Sequence, residues 1–479
     1  MLLFLFGIIL LIAGYFTYGK FIERILAPDH RDTPAKIHHD GVDFVVLPHW
    51  KNMLIQLLNI AGIGPVIGVI LGIKFGAITF LIIPVGNVIG GAVHDFLSGM
   101  MSLRHGGANL PKLIRMTLGE IYYRFFSIFV IILLLLVVAV FINIPAQLID
   151  GLNPTIHIFW LAVGAIFLYY IIATLFPVDK IIGSVYPFFG ALLLIGTLMI
   201  FAVLLGEGFQ RPELLTESAS FKAGMIKEPI IPVLFVTIAC GIISGFHATQ
   251  SPIIARTMES EYQGRSSFYG MMIVEGVIAM IWAAAGMAIY NLFPSMMQNN
   301  PTSVLLKITD YFLGSQMGTV TVIGVIVLAI TSGDTAMRSM RLSLAEMCGI
   351  SQKSFSKRLM ICLPLIAIVC GLLAWSNISA KTFGQLWNYF AWGNQVLAAS
   401  TLMAATVWLV MQRKAGWVAV IPGMFMTFIV VSYILWVSPK HGGPVGVGLP
   451  LQIAYAIAGV VSLAFAVWAY RRGRGKRLQ

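Results

Sequence analysis

Long apolar segments separated by short polar connections run along the whole chain. A segment such as residues 126–142, "FSIFVIILLLLVVAVFI", is long enough to cross a bilayer core of roughly 30 Å. The pattern predicts thirteen membrane spans, near residues 2–20, 52–73, 76–100, 121–149, 157–176, 182–206, 229–256, 267–292, 317–342, 358–377, 384–411, 416–437 and 446–470. We therefore expect an all-α polytopic membrane protein with about 13 transmembrane helices.

Composition and charge placement agree with a membrane protein and argue against a nucleic-acid-binding one. The 479 residues are 58% hydrophobic and 10% charged, with a mean hydropathy of +0.90, whereas a soluble domain averages about 25% charged residues. Most Lys and Arg residues behind the net charge of +12 lie in alternate connections and in the tail "RRGRGKRLQ". This positive-inside pattern predicts an N-terminus outside, a C-terminus in the cytoplasm, and no nucleic-acid partner.

Helix-breaking residues interrupt two of the predicted spans near their centres. The second span contains "NIAGIGPVIG" (59–68), and the seventh contains "CGIISGFHATQSPIIA" (240–255). The two segments lie five spans apart, so they cross the membrane in opposite directions. Matching interruptions in two inverted halves indicate the binding site of a secondary transporter, because freed main-chain groups are tolerated where they line a cavity. The alternative is a packing device, in which glycines allow close helix contact and proline only kinks the helix.

This symmetry predicts a leucine-transporter-type 5+5 inverted repeat with one additional N-terminal helix and two additional C-terminal helices. Five regions follow from it. They are an N-terminal helix and cytoplasmic loop (1–48), a first five-helix repeat (49–206), an extracytoplasmic loop (207–228), a second, inverted repeat (229–411), and two C-terminal helices with a basic tail (412–479).

Ionisable residues at membrane depth are costly and usually mark a transport pathway. His247, beside the second interruption, could bind a substrate carboxylate or carry a proton; alternatively, it holds the break open through a carbonyl. Glu275, in the eighth span, is equally suited to relaying a proton or to joining two helices.

A second group of polar residues has both functional and structural interpretations. Asp334 follows Thr331 and Ser332 in the ninth span, and it could bind Na⁺, carry a proton, or only pair with Arg338 one turn later. Two further sets need partners inside the membrane. Asp95, near the cytoplasmic end of the third span, is expected to form an interfacial salt bridge that closes an inner gate, with a ligand role as the alternative, and the same two interpretations apply to His94 and Arg104. Asn394 and Gln395 are expected to bond another helix or the substrate.

Several of these segments resemble the carbon starvation protein A family. The matching motifs occur in the family's order, and they are "AGIGP" (61–65), "GGAVHDF" (90–96), "TIACGIISGFHA" (237–248), "GMMIVE" (270–275), "TSGDTAMRSMR" (331–341) and "LW…F…GNQVLAA" (386–399). The chain departs from the family at "LIQL" (54–57) instead of "GHHF", at His94 instead of glutamine, and at "HATQSPIIART" (247–257), which lacks the family's paired threonines.

The resemblance implies a bacterial inner-membrane uptake system of the amino acid–polyamine–organocation superfamily, whose members are associated with importing peptides or pyruvate. The matching residues that carry over from the family are Gly62, Gly64, Pro65, Ser244, Gly245, His247, Asp95, Glu275, Asp334, Asn394 and Gln395, and the implied fold adds Thr331 and Ser332 as candidates for a Na⁺ site. Together with the residue pattern, we expect substrate binding at Gly62, Gly64, Pro65, Ser244, Gly245, Phe246, His247, Asn394 and Gln395, ion coupling at Thr331, Ser332, Asp334 and Glu275, and gating at Asp95, Arg104 and Arg338.

We therefore expect a secondary active transporter that imports a small nutrient, a peptide or a small carboxylate such as pyruvate, by alternating access. Coupling to H⁺ or Na⁺ would drive it, with no other cofactor and no metal, and with the solute and the lipid bilayer as its partners. The sequence leaves protein partners open. A passive channel or facilitator and a membrane nutrient sensor are the alternatives. An enzyme is not expected, because no nucleophile–base pair or HExxH motif occurs in the spans.

Overall fold

The computed structural model describes residues 1–40, 44–153, 155, 157–175, 179–350, 354–439 and 443–476, and within these ranges it contains helices and no strands. The α-helices are α1 (Leu2–Phe16), α2 (Tyr18–Leu26), α3 (Pro34–Ile37), α4 (His49–Ile60), α5 (Val69–Gly72), α6 (Thr79–Gly86), α7 (Ala92–Arg104), α8 (Leu110–Leu118), α9 (Glu120–Leu152), α10 (Phe159–Leu175), α11 (Asp179–Gln210), α12 (Ala219–Gly224), α13 (Phe235–Thr237), α14 (Ala239–Ile242), α15 (His247–Ala255), α16 (Met271–Leu292), α17 (Pro301–Met347), α18 (Phe355–Ser376), α19 (Ala380–Met411), α20 (Trp417–Trp436) and α21 (Leu451–Gly475).

Single turns of other helix types join several of these elements. The π-helical turns are Gly64–Gly68, Asn87–Gly91, Ile230–Leu234 and Arg265–Gly270, and the 3₁₀ turns are Ile73–Phe75, Pro212–Leu215, Glu261–Gln263 and Pro294–Gln298. π-helical turns inside longer helices frequently accompany functional sites. Here, two of the four lie in the interrupted spans.

Ten helical segments of the described chain are long and apolar enough to cross a membrane, or up to eleven when one bent pair counts as a span. Helix α10 is apolar but shorter, and the predicted seventh span consists of short pieces. The expected all-helical membrane architecture is therefore confirmed. The count of thirteen spans and the inverted repeat stay predictions.

The first predicted interruption is present between α4 and α5. Helix α4 ends at Ile60, and the chain resumes in the turn Gly64–Gly68 after a bend of 54°. Pro65, at the second position of that turn, has no N–H to offer a preceding carbonyl. A Cβ on Gly62 would lie 3.4 Å from the Phe141 ring and from Ser332 Oγ, so the missing side chain lets the break approach α9 and α17 closely.

The second interruption separates α14 from α15. Ile243 is extended (φ −160°, ψ 120°), and α15 begins at His247. A Cβ on Gly245 would lie 2.3 Å from Leu397 Cβ and 2.4 Å from the Ala398 nitrogen, so glycine allows this turn to pack directly on α19. Helix α14 also packs against the turn Gly64–Gly68. The two interruptions therefore meet at one place in the fold.

Candidate functional site

A small cavity lies where the two interruptions meet. Its volume, counted as the space open to the centre of a water molecule, is about 10 Å³, which is room for one water. Its lining comes from both breaks and from α9, α17 and α19, and it comprises Asn59, Ile60, Gly62, Gly64, Phe141, Ser244, Phe246, His247, Ser332, Phe390 and Asn394. This volume is too small for a solute, so helices would have to move apart before a solute could bind here.

Asn394 stabilises the non-helical backbone of the second break. Its Oδ1 accepts the Phe246 N–H at 2.7 Å, and its amide lies 2.9 Å from Ser244 Oγ. Asn394 is fully buried, and an unpaired buried N–H would cost about 1–3 kcal/mol. The neighbouring Gln395 donates through Nε2 to the main-chain carbonyls of Phe235 and Ile243, at 3.3 and 3.4 Å, and both carbonyls belong to the interrupted seventh span. Asn394 therefore lines the cavity, while Gln395 ties α19 to the backbone behind it.

The main-chain N–H groups at the start of α15 bond within the break itself. His247, Ala248 and Thr249 donate to the carbonyls of Ser244, Gly245 and Phe246, at distances from 2.9 to 3.1 Å. The interruption by itself predicts that such groups are free for a ligand. In this structure, these three N–H groups are already paired.

Three phenylalanines form the apolar part of the cavity wall. Phe141 lies 6.3 Å from Phe246 and 6.2 Å from Phe390 between ring centroids, and Phe390 continues to Trp387 at 5.5 Å. Such offsets and edge contacts are favourable for aromatic rings. Phe141, Phe390 and Asn59 were not predicted from the sequence. Of these, only Asn59 carried a signal, as a polar residue directly before the first break.

A buried cluster of two histidines and two carboxylates adjoins the cavity. Asp95 accepts from His94 Nδ1 at 2.8 Å and from His247 Nδ1 at 3.0 Å, and His247 Nε2 lies 3.8 Å from Glu275 Oε2. The side chains of all four are at most 1% exposed. Among the residues that the structure describes, neither Glu275 oxygen has a hydrogen-bond partner. The cluster thus joins Asp95 to both imidazoles by hydrogen bonds, and it places Glu275 beside His247 but beyond direct hydrogen-bond distance.

The surroundings of Asp95 differ from the predicted interfacial gate. The sequence predicts Asp95 in a salt bridge at the cytoplasmic end of its span, with Arg104 nearby. Asp95 instead bonds His94 and His247 at full burial. Two buried hydroxyls extend the cluster by one turn, because Ser98 and Ser251 lie 2.9 Å apart, each bonded to a main-chain oxygen of its own helix.

Arg104 belongs to a separate polar network at the predicted cytoplasmic surface. Its guanidinium binds both oxygens of Glu261, at 3.0 and 2.8 Å, and Arg31 approaches the same carboxylate at 3.4 Å. Arg31 also bonds Asp29, which holds the pKa of that carboxyl well below its usual range. Burial and the positive charge of Arg104 lower the pKa of Lys414, in the loop after α19, to about 8. Gating by Arg104 stays a prediction.

The candidate ion-coupling residues of α17 divide between two environments. Ser332 lines the cavity, is 2% exposed, and has no hydrogen-bond partner for Oγ among the described residues. Thr331 donates its hydroxyl to the Leu328 carbonyl at 2.8 Å. Asp334 and Arg338 face α10, where Tyr169 bonds Asp334 and the Ala173 carbonyl accepts from Arg338 at 3.3 Å. Within the described ranges, no group of His, Cys, Asp and Glu residues is arranged to hold a metal ion.

Comparison with known proteins confirms the resemblance seen in the motifs. The family model described as Carbon starvation protein CstA matches residues 1–165, 155–311 and 302–433. An uncharacterized membrane protein of Haemophilus influenzae is 41% identical over 345 residues, which cover 60% of this chain and 91% of that protein.

Two named relatives are transporters. Peptide transporter CstA of Campylobacter jejuni is 26% identical over 581 residues, covering 95% of this chain and 81% of that protein. Pyruvate/proton symporter BtsT of Escherichia coli is 26% identical over 335 residues, covering 56% of this chain and 46% of the symporter.

Solved transporter structures share the fold at low sequence identity. The manganese transporter of Eremococcus coleocola, in complex with an aromatic bis-isothiourea substituted compound, matches with a TM-score of 0.53 at 15% identity, over 91% of this chain and 99% of that one. MhsT in complex with L-phenylalanine matches with a TM-score of 0.54 at 12% identity, over 88% and 98%. At these identities the likeness concerns the fold alone.

Proposed function

Because the chain belongs to the carbon starvation protein CstA family, whose named relatives are membrane transporters and not enzymes, we propose that it is a secondary active importer. It takes up a small nutrient, a peptide or a small carboxylate such as pyruvate, by alternating access across a bacterial inner membrane. One observation carries the proposal: two interrupted spans meet at a small cavity that adjoins a buried histidine–carboxylate cluster.

The proposed architecture has thirteen spans, with the N-terminus outside and the C-terminus in the cytoplasm. Two five-helix repeats of opposite orientation each supply one interrupted span, α4 with α5 and α14 with α15. The contact between α14 and the turn Gly64–Gly68 supports this plan, because the interruptions of inverted repeats should adjoin. Rocking of one helix group against the other would open the cavity to each side in turn.

The cavity suits a small solute that combines a carboxylate with an apolar part. His247 at the start of α15 is the nearest group that can become cationic, and the positive end of that helix dipole lies in the same position. Asn59, Ser244 and Asn394 supply amide and hydroxyl groups, and the phenylalanine wall supplies apolar contact. Pyruvate and short peptides both carry a carboxylate, so this chemistry fits either.

We propose H⁺ as the coupling ion. Unpaired charge at full burial in a membrane is strongly unfavourable. Among the described residues, neither oxygen of the Glu275 carboxyl has a hydrogen-bond partner, so this group is most stable when it holds a proton. Glu275 is the natural carrier, since Asp95 already holds two charge-assisted hydrogen bonds. Arrival or loss of that proton changes the net charge next to His247, and this change would couple the cavity's affinity for an anion to proton movement.

Na⁺ is the second candidate, and Ser332 is the observation that favours it. Its hydroxyl faces the cavity beside Gly62, at a position where hydroxyl and carbonyl oxygens could bind a hard cation. The Thr331 hydroxyl, however, donates to the backbone of its own helix. H⁺ therefore has more support from the geometry.

Counterflow in proteoliposomes tests the proposed function. Vesicles preloaded with unlabelled pyruvate, alanyl-alanine or alanine would be diluted into the labelled compound, and transient accumulation of one of them is expected. His247→Ala should abolish it, and Thr401→Val, a buried change outside the cavity lining, should not. A channel would equilibrate solute without overshoot, and a sensor would bind solute without moving it. Either result would contradict the proposal.

A further inference from the structure

The outward face of the last helix, α21, combines an apolar strip with two arginines at one end. The strip includes Val460, Leu463 and Val467, which are 69%, 56% and 41% exposed. Trp468, Arg471 and Arg472 continue the same face, and together these side chains, all from α21, border a shallow groove that is open to the outside. We infer that this groove binds an anionic phospholipid of the leaflet that contacts the C-terminal end of α21.

The opposite face of α21 explains why the groove is open to lipid. Small residues recur along that face and are buried: Ala454, Ala458, Ser462, Ala466, Ala469 and Gly473. They pack α21 closely against α19 and α20. At Gly473 the approach is so close that a Cβ would lie 2.7 Å from Val410 Cβ. The large side chains are therefore directed away from the protein, into the region where acyl chains lie.

The length of the strip fits one lipid tail. Val460 and Arg471 are separated by eleven residues, or about 16 Å at 1.5 Å per residue. Half of a bilayer core of roughly 30 Å is about 15 Å. A phospholipid whose phosphate lies at Arg471 and Arg472 would therefore place the end of its acyl chain near Val460.

The arginine end of the groove is organised to receive an anion. Arg472 donates through Nε to the Thr117 carbonyl at 2.7 Å, and its guanidinium lies 5.5 Å from the Trp468 ring centre. These contacts hold Arg472 in place at the junction of α8 and α9. Arg471 is exposed beside it. Two guanidiniums at headgroup depth match a phosphate by charge and by hydrogen-bond geometry.

Charge favours this occupant over a second copy of the chain. The positive-inside pattern places this end of α21 at the cytoplasmic leaflet, and α21 carries Arg471, Arg472 and Arg474 in its last turns. Two copies that met through this face would bring those arginines together. An anionic lipid in the groove would instead place a negative charge beside Arg471 and Arg472.

Native mass spectrometry of the purified full chain tests this inference. The protein would be titrated with phosphatidylglycerol and with phosphatidylcholine of the same acyl chains. We expect the anionic lipid to bind more strongly, and Arg471→Gln to weaken its binding about fivefold. Arg474→Gln removes the same charge from the same helix outside the groove, so it is the matched control and should change affinity little.

A second variant tests the apolar part of the groove without touching an arginine. Ala464 is an exposed lining residue, and Ala464→Trp should fill the groove and displace the lipid. Equal losses in Arg471→Gln and Arg474→Gln, or equal binding of the two lipids, would overturn the inference. Dimers that disappear in Ala464→Trp while no lipid is bound would assign the groove to a second copy instead. None of these readouts depends on transport.

Discussion

Asn394→Ala removes the side chain that we consider responsible for keeping the second span interrupted. In the wild type, Asn394 accepts the Phe246 N–H at 2.7 Å and contacts Ser244 Oγ at 2.9 Å, within a fully buried environment. Alanine offers neither group. The Phe246 N–H then has to find another acceptor or stay unpaired.

The expected cost follows from these contacts. An orphaned buried N–H costs about 1–3 kcal/mol, and the bond to Ser244 contributes about 0.5–1.5 kcal/mol. The total is about 3 kcal/mol. Because 1.4 kcal/mol corresponds to a factor of ten in an equilibrium constant, the intact form of the break should lose about a hundredfold in population relative to rearranged forms.

The assay combines thermal unfolding of the detergent-purified protein with initial uptake in proteoliposomes. Asn394→Ala should unfold at a lower temperature and lose nearly all uptake. Thr401→Val is the matched control, since Thr401 is buried on the same helix and its hydroxyl has no partner among the described residues. Wild-type stability and uptake in Asn394→Ala would refute the reasoning that this amide maintains the break.

Three further predictions concern close packing, ion identity and pH. Gly245→Ala places a Cβ 2.4 Å from main-chain atoms of α19 and should lower thermal stability and uptake. Gly384→Ala, with no atom within 4 Å, should lower neither, because alanine favours a helix more than glycine does. Ser332→Ala should retain proton-driven uptake; loss of a Na⁺-stimulated component would assign coupling to Na⁺. Relative to Lys414→Met, the wild type should gain thermal stability from about pH 8 to 10.5, because only the unfolded state keeps the Lys414 proton in that range.

The sequence was sufficient to locate both interruptions, because their cause is local. Pro65 interrupts the hydrogen bonds of its helix, and Gly62 and Gly245 weaken helical structure and allow neighbouring helices to approach closely. The assignment of His247 and Glu275 to one pathway also had a local basis, since ionisable residues in apolar spans are rare. Their 3.8 Å approach depends on how the fold positions α15 and α16, which the pattern of residues along the chain does not reveal.

Other features depended on depth and helix rotation. Asp95 lies nine residues before Arg104 in the same helix, about 14 Å along its axis. This spacing indicates that Asp95 lies deeper in the membrane than Arg104. The spacing does not indicate that Asp95 bonds two histidines. Asp334 faces α10 and not the cavity, because the rotation of α17 is set by its neighbours. Phe141 and Phe390 look like ordinary apolar residues until the fold brings their rings together.

The central claim is that inward proton movement through the buried cluster drives solute uptake. The most direct measurement is accumulation of the counterflow-active solute in proteoliposomes under an imposed inward proton gradient, comparing wild type with Glu275→Gln. Wild type should accumulate solute above the external concentration, and the variant should exchange solute without responding to the gradient. Full gradient-driven accumulation in Glu275→Gln would contradict the claim.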